Sequence, residues 1–283
     1  MPAGPSRHER RRGLPPRPKR RFGQHFLTDP PVIEHIVAVI RPVAGQHMVE
    51  IGPGRGALTR PLLKVLGTLD VVEIDRELAA ALATDLGPLG ELRVHRSDAL
   101  RFDFSQLAPA AGRLRIVGNL PYNVSTPLLF HLLVHSDAIQ DMVFTLQREV
   151  AERIVAAPST RDYGRLSVML QHRCDATELF SVAPHAFRPA PQVHSTVIRL
   201  VPRPPATPVA DHGLFERLVR QAFGQRRKTL RNALRGWIDE AGFGRAGIDP
   251  TLRAETLAVA DFVRLANDLA SGLSSATRSA TER

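Results

Sequence analysis

The sequence has a single cysteine, Cys174, among 283 residues, so no intramolecular disulfide can form and nothing argues for an oxidising compartment. No stretch approaches the ~20 consecutive apolar residues that a membrane-spanning helix needs, and the N-terminus lacks the apolar core of a secretory leader. A cytoplasmic chain without a membrane partner is expected. Metal-ligand patterns are also scarce. His131 and His135 stand four residues apart but have no evident acidic or thiol partner, and they read as structural histidines. Cys174 lies outside any nucleophile signature and reads as a small core or strand residue. No metal is expected, and the sequence contains no internal repeat.

Acidic residues are nearly missing from two stretches. Residues 1–21 carry eight Lys and Arg against Glu9, and residues 217–235 carry seven with no acid, each a net of +7 within a chain of net charge +10. The remainder is therefore mildly acidic, at −4. One basic run alone is often a solvated face, whereas two flanking an acidic body favour a polyanionic partner. The first stretch resembles an organellar transit peptide in being Arg-rich and acid-poor, but Pro2, Pro5, Pro15, Pro16 and Pro18 oppose an amphipathic helix. A disordered basic arm over residues 1–22 is expected.

Beyond the arm, β and α patterns alternate. Thr28-Asp29-Pro30-Pro31 is a helix start, with Val32, Ile33, Ile36, Val37 and Ile40 at helical spacing after it. Strand patterns at 48–51, 69–74, 92–95, 114–117 and 142–146 interleave with helical ones at 57–66, 77–86, 127–135 and 148–156, the βαβ signature of a doubly wound parallel sheet. The strands' apolar character is too continuous for half-exposed strands, so both sheet faces are expected to be covered by helices. Two further strands, 177–180 and 196–201, flank a Pro-rich loop and suggest an antiparallel hairpin at one sheet edge. The fold class is α/β, Rossmann-like. The expected organisation is a catalytic domain over 23–203, a proline-rich linker, and a smaller helical domain over 208–270. Helices are anticipated at 214–223, 226–237 and 257–269, and residues 271–283 read as a flexible tail.

The first strand of this alternation runs into Glu50-Ile51-Gly52-Pro53-Gly54-Arg55-Gly56-Ala57. Glycines at such a turn let the backbone approach a nucleotide-like ligand. Gly52, Gly54 and Ala57 also satisfy the dinucleotide fingerprint, so cofactor identity stays open at this point. Glu73 ends the next strand, where an acid can accept hydrogen bonds from ribose hydroxyls; a solvent-facing strand-end acid is the alternative. Asp98 stands where a carboxylate can accept from an adenine amino group, or cap a helix.

Asn119-Leu120-Pro121-Tyr122 directly follows the fourth strand of this alternation. The lone pair of an adenine amine is delocalised into the ring, so a catalyst must disfavour the planar arrangement. An Asn side-chain oxygen and the Leu120 carbonyl can accept both amine hydrogens and turn the lone pair toward an incoming methyl. Tyr122 offers a face for a flipped-out base and Pro121 stiffens the turn. The bland alternative is an ordinary turn after a strand.

Together with Arg21-Phe22-Gly23-Gln24-His25-Phe26-Leu27, Glu73-Ile74-Asp75, Tyr163-Gly164-Arg165-Leu166-Ser167-Val168, the segment from Phe187 to Ser195 and Gln225-Arg226-Arg227-Lys228-Thr229-Leu230-Arg231-Asn232, these motifs make the chain resemble the ribosomal RNA adenine N6,N6-dimethyltransferase family over about residues 19–270. It is most similar to the branch acting on bacterial small-subunit (16S) ribosomal RNA. The resemblance implies S-adenosylmethionine as methyl donor, with contacts at His25, Leu27, Gly52, Gly54, Glu73, Asp98 and Asn119. It further implies dimethylation of two adjacent adenosines in the 3′-terminal hairpin, within an immature small ribosomal subunit, by a monomeric enzyme. The family more usually has Asn at the position of His25; a contact made through the backbone does not depend on that change. Phe187 is implied as a second stacking face, with a packed loop aromatic as the alternative. Arg226, Arg227, Lys228 and Arg231 are taken as phosphate contacts on a helix flank. Three rivals remain open: a large-subunit ribosomal RNA methylase conferring antibiotic resistance, a nicotinamide-dependent oxidoreductase and a noncatalytic assembly factor.

Overall fold

The computed structural model describes residues 23–110 and 112–281, with side chains through 272; the basic arm expected at 1–22 lies outside the described residues. The chain opens with a two-residue strand, β1 (Phe26–Leu27), and then α1 (Pro30–Ile40). Asp29 caps α1, its carboxylate accepting from Val32 N at 3.1 Å, and proline occupies the first turn, where a missing N–H costs nothing. The alternation continues through β2 (Met48–Ile51), α2 (Thr59–Leu66), β3 (Thr68–Val72), α3 (Arg76–Leu86), β4 (Glu91–His95), β5 (Leu114–Asn119), α4 (Ser125–Val134), β6 (Ile139–Gln147) and α5 (Arg148–Val155). After α6 (Arg165–Arg173) come β7 (Cys174–Val182), a short β8 (Phe187–Arg188) and β9 (Ser195–Pro202).

Seven strands form one sheet in the order β4-β3-β2-β5-β6-β9-β7. The strands from β2 to β6 pair in parallel, whereas β9 runs antiparallel to both β6 and β7. The expected hairpin therefore lies at the sheet edge, with β9 inserted on its inner side. One apolar cluster joins Leu128, Leu132, Ile154 and Leu166 to Ile116 and Phe144 on one face; another joins Ile36, Leu62 and Leu82 to Val71 and Val117 on the other. Each fully buried aliphatic side chain contributes roughly 1.5–3 kcal/mol. Burial on both faces explains why the central strands β2, β5 and β6 are mostly apolar, whereas the edge strand β4 alternates polar and apolar residues and is only partly buried. Cys174 is buried at the start of β7, and His131 bonds the Phe102 carbonyl through Nε2 at 2.8 Å.

α1 is fixed from its C-terminal end. Arg115 grips Asp141 with Nε at 2.7 Å and Nη2 at 2.9 Å, and donates to the carbonyls of Ile40 at 2.6 Å and Arg41 at 3.2 Å. Two helix-end carbonyls thus gain cationic donors while the buried guanidinium keeps a counterion. This bracing sets where the opposite end of α1, and β1 before it, meet the sheet.

The C-terminal part packs α7 (His212–Gly224), α8 (Leu230–Ala233), α9 (Glu240–Ala246) and α10 (Val259–Thr281) around a third apolar cluster that includes Phe215, Leu218, Phe243 and Phe262. Tyr163 and Val168 belong to the same cluster, so the helical part is seated on the segment around α6. Two expectations are corrected here. The continuous helix at 226–237 is only α8: Lys228 N closes a tight turn on Gln225 O at 2.8 Å, and the carbonyls of Leu252 and Pro250 take the N–H groups of Leu230 at 2.7 Å and Arg231 at 2.9 Å that a longer helix would use. The tail expected from residue 271 instead continues α10 to Thr281. No proline interrupts it, and extending a helix already nucleated by packed residues is far easier than starting one.

Candidate methyl-donor and adenine site

At the carboxyl ends of β2, β3 and β5 the chain forms a cleft, the place where doubly wound sheets bind ligands. Its floor is the glycine turn. Gly52 and Gly54 have φ of +65° and +56°, a conformation that favours glycine. A Cβ on Gly54 would also stand 2.9 Å from the Phe26 ring. Glu73, nearly buried, accepts from Gly54 N at 3.3 Å and Asp75 N at 2.8 Å, so it braces the turn as well as facing the cleft; burial raises its pKa above the usual carboxylate value. Asp98 accepts from Leu100 N through Oδ1 at 3.0 Å.

The far wall is the Asn119–Tyr122 turn. Asn119 Nδ2 donates to the His25 carbonyl at 2.8 Å, which fixes the amide and assigns Oδ1 as the acceptor left for a ligand. Leu120 N bonds Thr145 O at 3.2 Å, tying the turn to β6. The Pro121 carbonyl accepts from Ser125 Oγ at 2.9 Å. The Tyr122 hydroxyl lies 2.6 Å from Ser195 Oγ, and burial raises the phenol pKa, keeping it neutral. The His25 ring stacks on Tyr122 with centroids 5.2 Å apart.

His25, Leu27, Gly52, Gly54 and Glu73 thus line one cleft together with Asp98, Asn119, Leu120, Pro121 and Tyr122. Phe187 does not. It is fully buried and held opposite Leu27 by the antiparallel pairing of β1 and β8. The basic residues lie elsewhere and differ among themselves. Arg226 is held by the carbonyls of Arg161 and Tyr163 and by Glu255, and Arg231 pairs with Glu240 at 2.6 Å. Arg227 and Lys228 are exposed on the turn before α8.

One acid of the cleft escapes a reading of motifs. Glu50, in the otherwise apolar β2, lines the cleft at 2% exposure, and its Oε2 makes no hydrogen bond. Burial pushes its carboxyl up to about 8; the adjacent Thr59 hydroxyl opposes the shift without completing a hydrogen bond, and the charge of Glu73 adds to it. The signal was its place, an acid inside a buried strand, where only a partner could keep it charged. Ile74, 47% exposed, adds an apolar wall next to Glu73. A donor carrying an adenosine and an amino acid with a sulfonium fits this lining, since Glu50 is an unmatched acid and the glycine turn leaves room that a side chain would fill.

A dinucleotide-binding dehydrogenase places its crevice in a mostly parallel sheet; β9, antiparallel between β6 and β7 beside an Asn-Leu-Pro-Tyr turn, sets this chain among the S-adenosylmethionine-dependent methyltransferases. The sequence matches ribosomal RNA adenine dimethylase over residues 17–271, and the chain belongs to that family. It is 56% identical over 255 residues to the ribosomal RNA small subunit methyltransferase A of Aromatoleum aromaticum, covering 90% of this chain and 95% of the relative. It is 51% identical to the protein of the same name from Pseudomonas putida, over 90% of this chain and 96% of that one. Among solved structures, a dimethyladenosine transferase from Plasmodium falciparum shares the fold with a TM-score of 0.71 at 23% identity, covering 85% of this chain and 96% of that one. The 23S rRNA methyltransferase ErmE has a TM-score of 0.63 at 26% identity, covering 87% and 99%.

Proposed function

We propose that the protein dimethylates the N6 amines of two adjacent adenosines in the 3′-terminal hairpin of 16S ribosomal RNA, within an immature small subunit, as a metal-independent cytoplasmic monomer. The observation that carries the chemistry is Asn119, its amide nitrogen occupied by His25 and its oxygen left to accept. When bound, S-adenosylmethionine supplies a methyl group already activated on a sulfonium. Asn119 Oδ1 and the Leu120 carbonyl take the two amine hydrogens, turning the nitrogen lone pair out of the ring plane and toward the donor. Tyr122, anchored by Ser195, carries the base. Identities above 50% with relatives named for the small subunit, against 26% with the 23S enzyme, favour small-subunit over large-subunit RNA. Transfer of tritium from labelled donor to immature small subunits but not to large subunits is the expected result; label entering only large-subunit RNA would contradict it.

Glu73 holds the ribose and the glycine turn together. Glu73→Ala is expected to weaken donor binding by roughly 1–3 kcal/mol, the scale of hydrogen bonds to a charged acceptor. Calorimetry gives the number directly, and an unchanged Kd would remove Glu73 from the donor site.

The RNA grip falls to Arg227 and Lys228, the exposed cations of the turn before α8 that make no ion pair among the described residues, rather than to Arg226 and Arg231, which already have acidic partners. Phosphate contacts release counterions. Replacing Arg227 and Lys228 with Gln is expected to lower affinity for the particle and flatten the plot of log affinity against log salt by roughly one unit per lost contact. Donor affinity stays at the parental value. Superimposable salt plots for the two proteins would exclude these residues from the interface.

A further inference from the structure

S-adenosylmethionine carries a sulfonium, an α-ammonium and an α-carboxylate, and a charge taken from water into a cleft needs a partner there. Among the described residues that line the cleft, Glu50, Glu73 and Asp98 are acids, whereas Arg55 is the single Lys or Arg. On the reading above, Glu73 serves the ribose, Asp98 the adenine amine and Glu50 the positive charge. The donor's carboxylate then lacks a partner, and the acids around it repel it unless a cation intervenes. Position agrees with this charge inventory. Arg55 stands in the glycine turn between Gly54 and Gly56, whose φ values are +56° and +80°, and its guanidinium lies over the Phe26 ring, 4.7 Å from the centroid. The same ring packs on Gly54, where an added Cβ would stand 2.9 Å from it. Phe26 follows His25, whose carbonyl holds the Asn119 amide at 2.8 Å. Phe26 thus sets Arg55 beside the end of the cleft that Asn119 walls, where methyl transfer requires the sulfonium. The carboxylate is borne on the third carbon from that sulfur. An aromatic face attracts a cation without cancelling its charge, and a guanidinium recognises a carboxylate through the fork of N–H donors at its edge.

We propose that Arg55 binds the α-carboxylate of the methyl donor, and of its demethylated product, with Phe26 as the surface that orients the guanidinium. The proposal rests on S-adenosylmethionine as the donor. Arg55 reads the amino-acid end of that molecule, while Glu73 and Asp98 read the nucleoside end. Because Arg55 is exposed, solvent and salt screen the pair, so its contribution to affinity is moderate and falls as ionic strength rises.

The test titrates the full-length parent, Arg55→Gln and Arg55→Lys by calorimetry with S-adenosylmethionine, S-adenosylhomocysteine and decarboxylated S-adenosylmethionine. The last ligand keeps the sulfonium and the amine and lacks only the carboxylate. Arg55→Gln is expected to weaken the two carboxylate-bearing ligands about three- to tenfold, the scale of a charge-assisted pair discounted for exposure. Its Kd for the decarboxylated ligand stays within about twofold of the parent's, which also shows that the variant is folded. The two deletions are therefore expected not to add, the mark of a direct contact. Arg55→Lys, a point charge without the fork, recovers part of the loss. A parental Kd for S-adenosylmethionine in Arg55→Gln overturns the proposal, and so does an equal loss for the ligands with and without the carboxylate. Weaker binding of immature small subunits by Arg55→Gln, with donor affinity at the parental value, would make Arg55 an RNA contact instead. Failure of the parent itself to bind S-adenosylmethionine would remove the donor reading, and this proposal with it.

Discussion

Replacing Asn119 with Ala is expected to lower the single-turnover rate of methyl transfer by about 10²–10³-fold, the loss seen when one preorganised hydrogen-bonding group is removed from a reacting centre. Donor binding is expected to change far less, because the side-chain oxygen acts on the amine as it becomes a nucleophile, an interaction realised in the transition state. Some weakening of donor affinity is anticipated, since the same amide holds the His25 carbonyl at 2.8 Å and with it the lip of the cleft. The ratio of the two effects separates the roles. Calorimetry with the donor and quenched-flow transfer to small subunits measure both on the same preparation, and equal rates for variant and parent would sink the assignment of Asn119.

Donor affinity is expected to rise steeply with pH up to about 8 and then level off. The cause is Glu50, buried in β2 with a carboxyl pushed up to about 8, so in the empty protein it is largely protonated at neutral pH. A cationic donor favours the ionised form, and binding then releases a proton. Below pH 8 the gain approaches about tenfold in affinity per pH unit, the slope for one proton. Stability of the empty protein runs in the opposite direction. Because folding raises the pKa of this acid, its protonated form stabilises the fold at low pH, and that contribution is lost as pH rises from the unfolded value of about 4.5 toward 8. Glu50→Gln should abolish the pH dependence of donor binding and flatten the loss of Tm between about pH 5 and 8. Calorimetry in buffers of different ionisation enthalpy counts the proton; a pH-independent Kd in the parent would show that Glu50 does not meet the donor's charge.

Most of the sheet was legible because its signals are local. Asp29 before Pro30-Pro31 marked the start of α1, and predominantly apolar runs marked β2, β3, β5 and β6. The cleft was legible in part for a related reason: Gly52, Glu73 and Asn119 stand at the carboxyl ends of β2, β3 and β5, and a parallel sheet brings such ends together whatever the loops do. The features that escaped depend on tertiary partners. The helical pattern of 226–237 is sound locally, but Arg226 binds the carbonyls of Arg161 and Tyr163 and the backbone beyond it bonds residues 250 and 252, so the turn wins over the helix and the cations leave the flank they would have shared. α6 was hidden inside a motif read for resemblance alone, although Leu166 and Leu170 face the core. Phe187 carries no sequence mark that tells a core aromatic from a stacking one. Its burial follows from the two-residue pairing of β8 with β1, strands too short to register as a periodic pattern.

Action of the Asn119 turn on the N6 amines of adjacent adenosines in small-subunit RNA is tested most directly by mass spectrometry of that RNA. Immature small subunits lacking the modification would be incubated with the protein and S-adenosylmethionine, and the RNA digested into fragments before measurement. The expected product is two neighbouring N6,N6-dimethyladenosines in the 3′-terminal hairpin, absent without donor and absent with Asn119→Ala. Methylation at another base or another atom, or an unmodified hairpin after exhaustive incubation with a donor-competent protein, would contradict it.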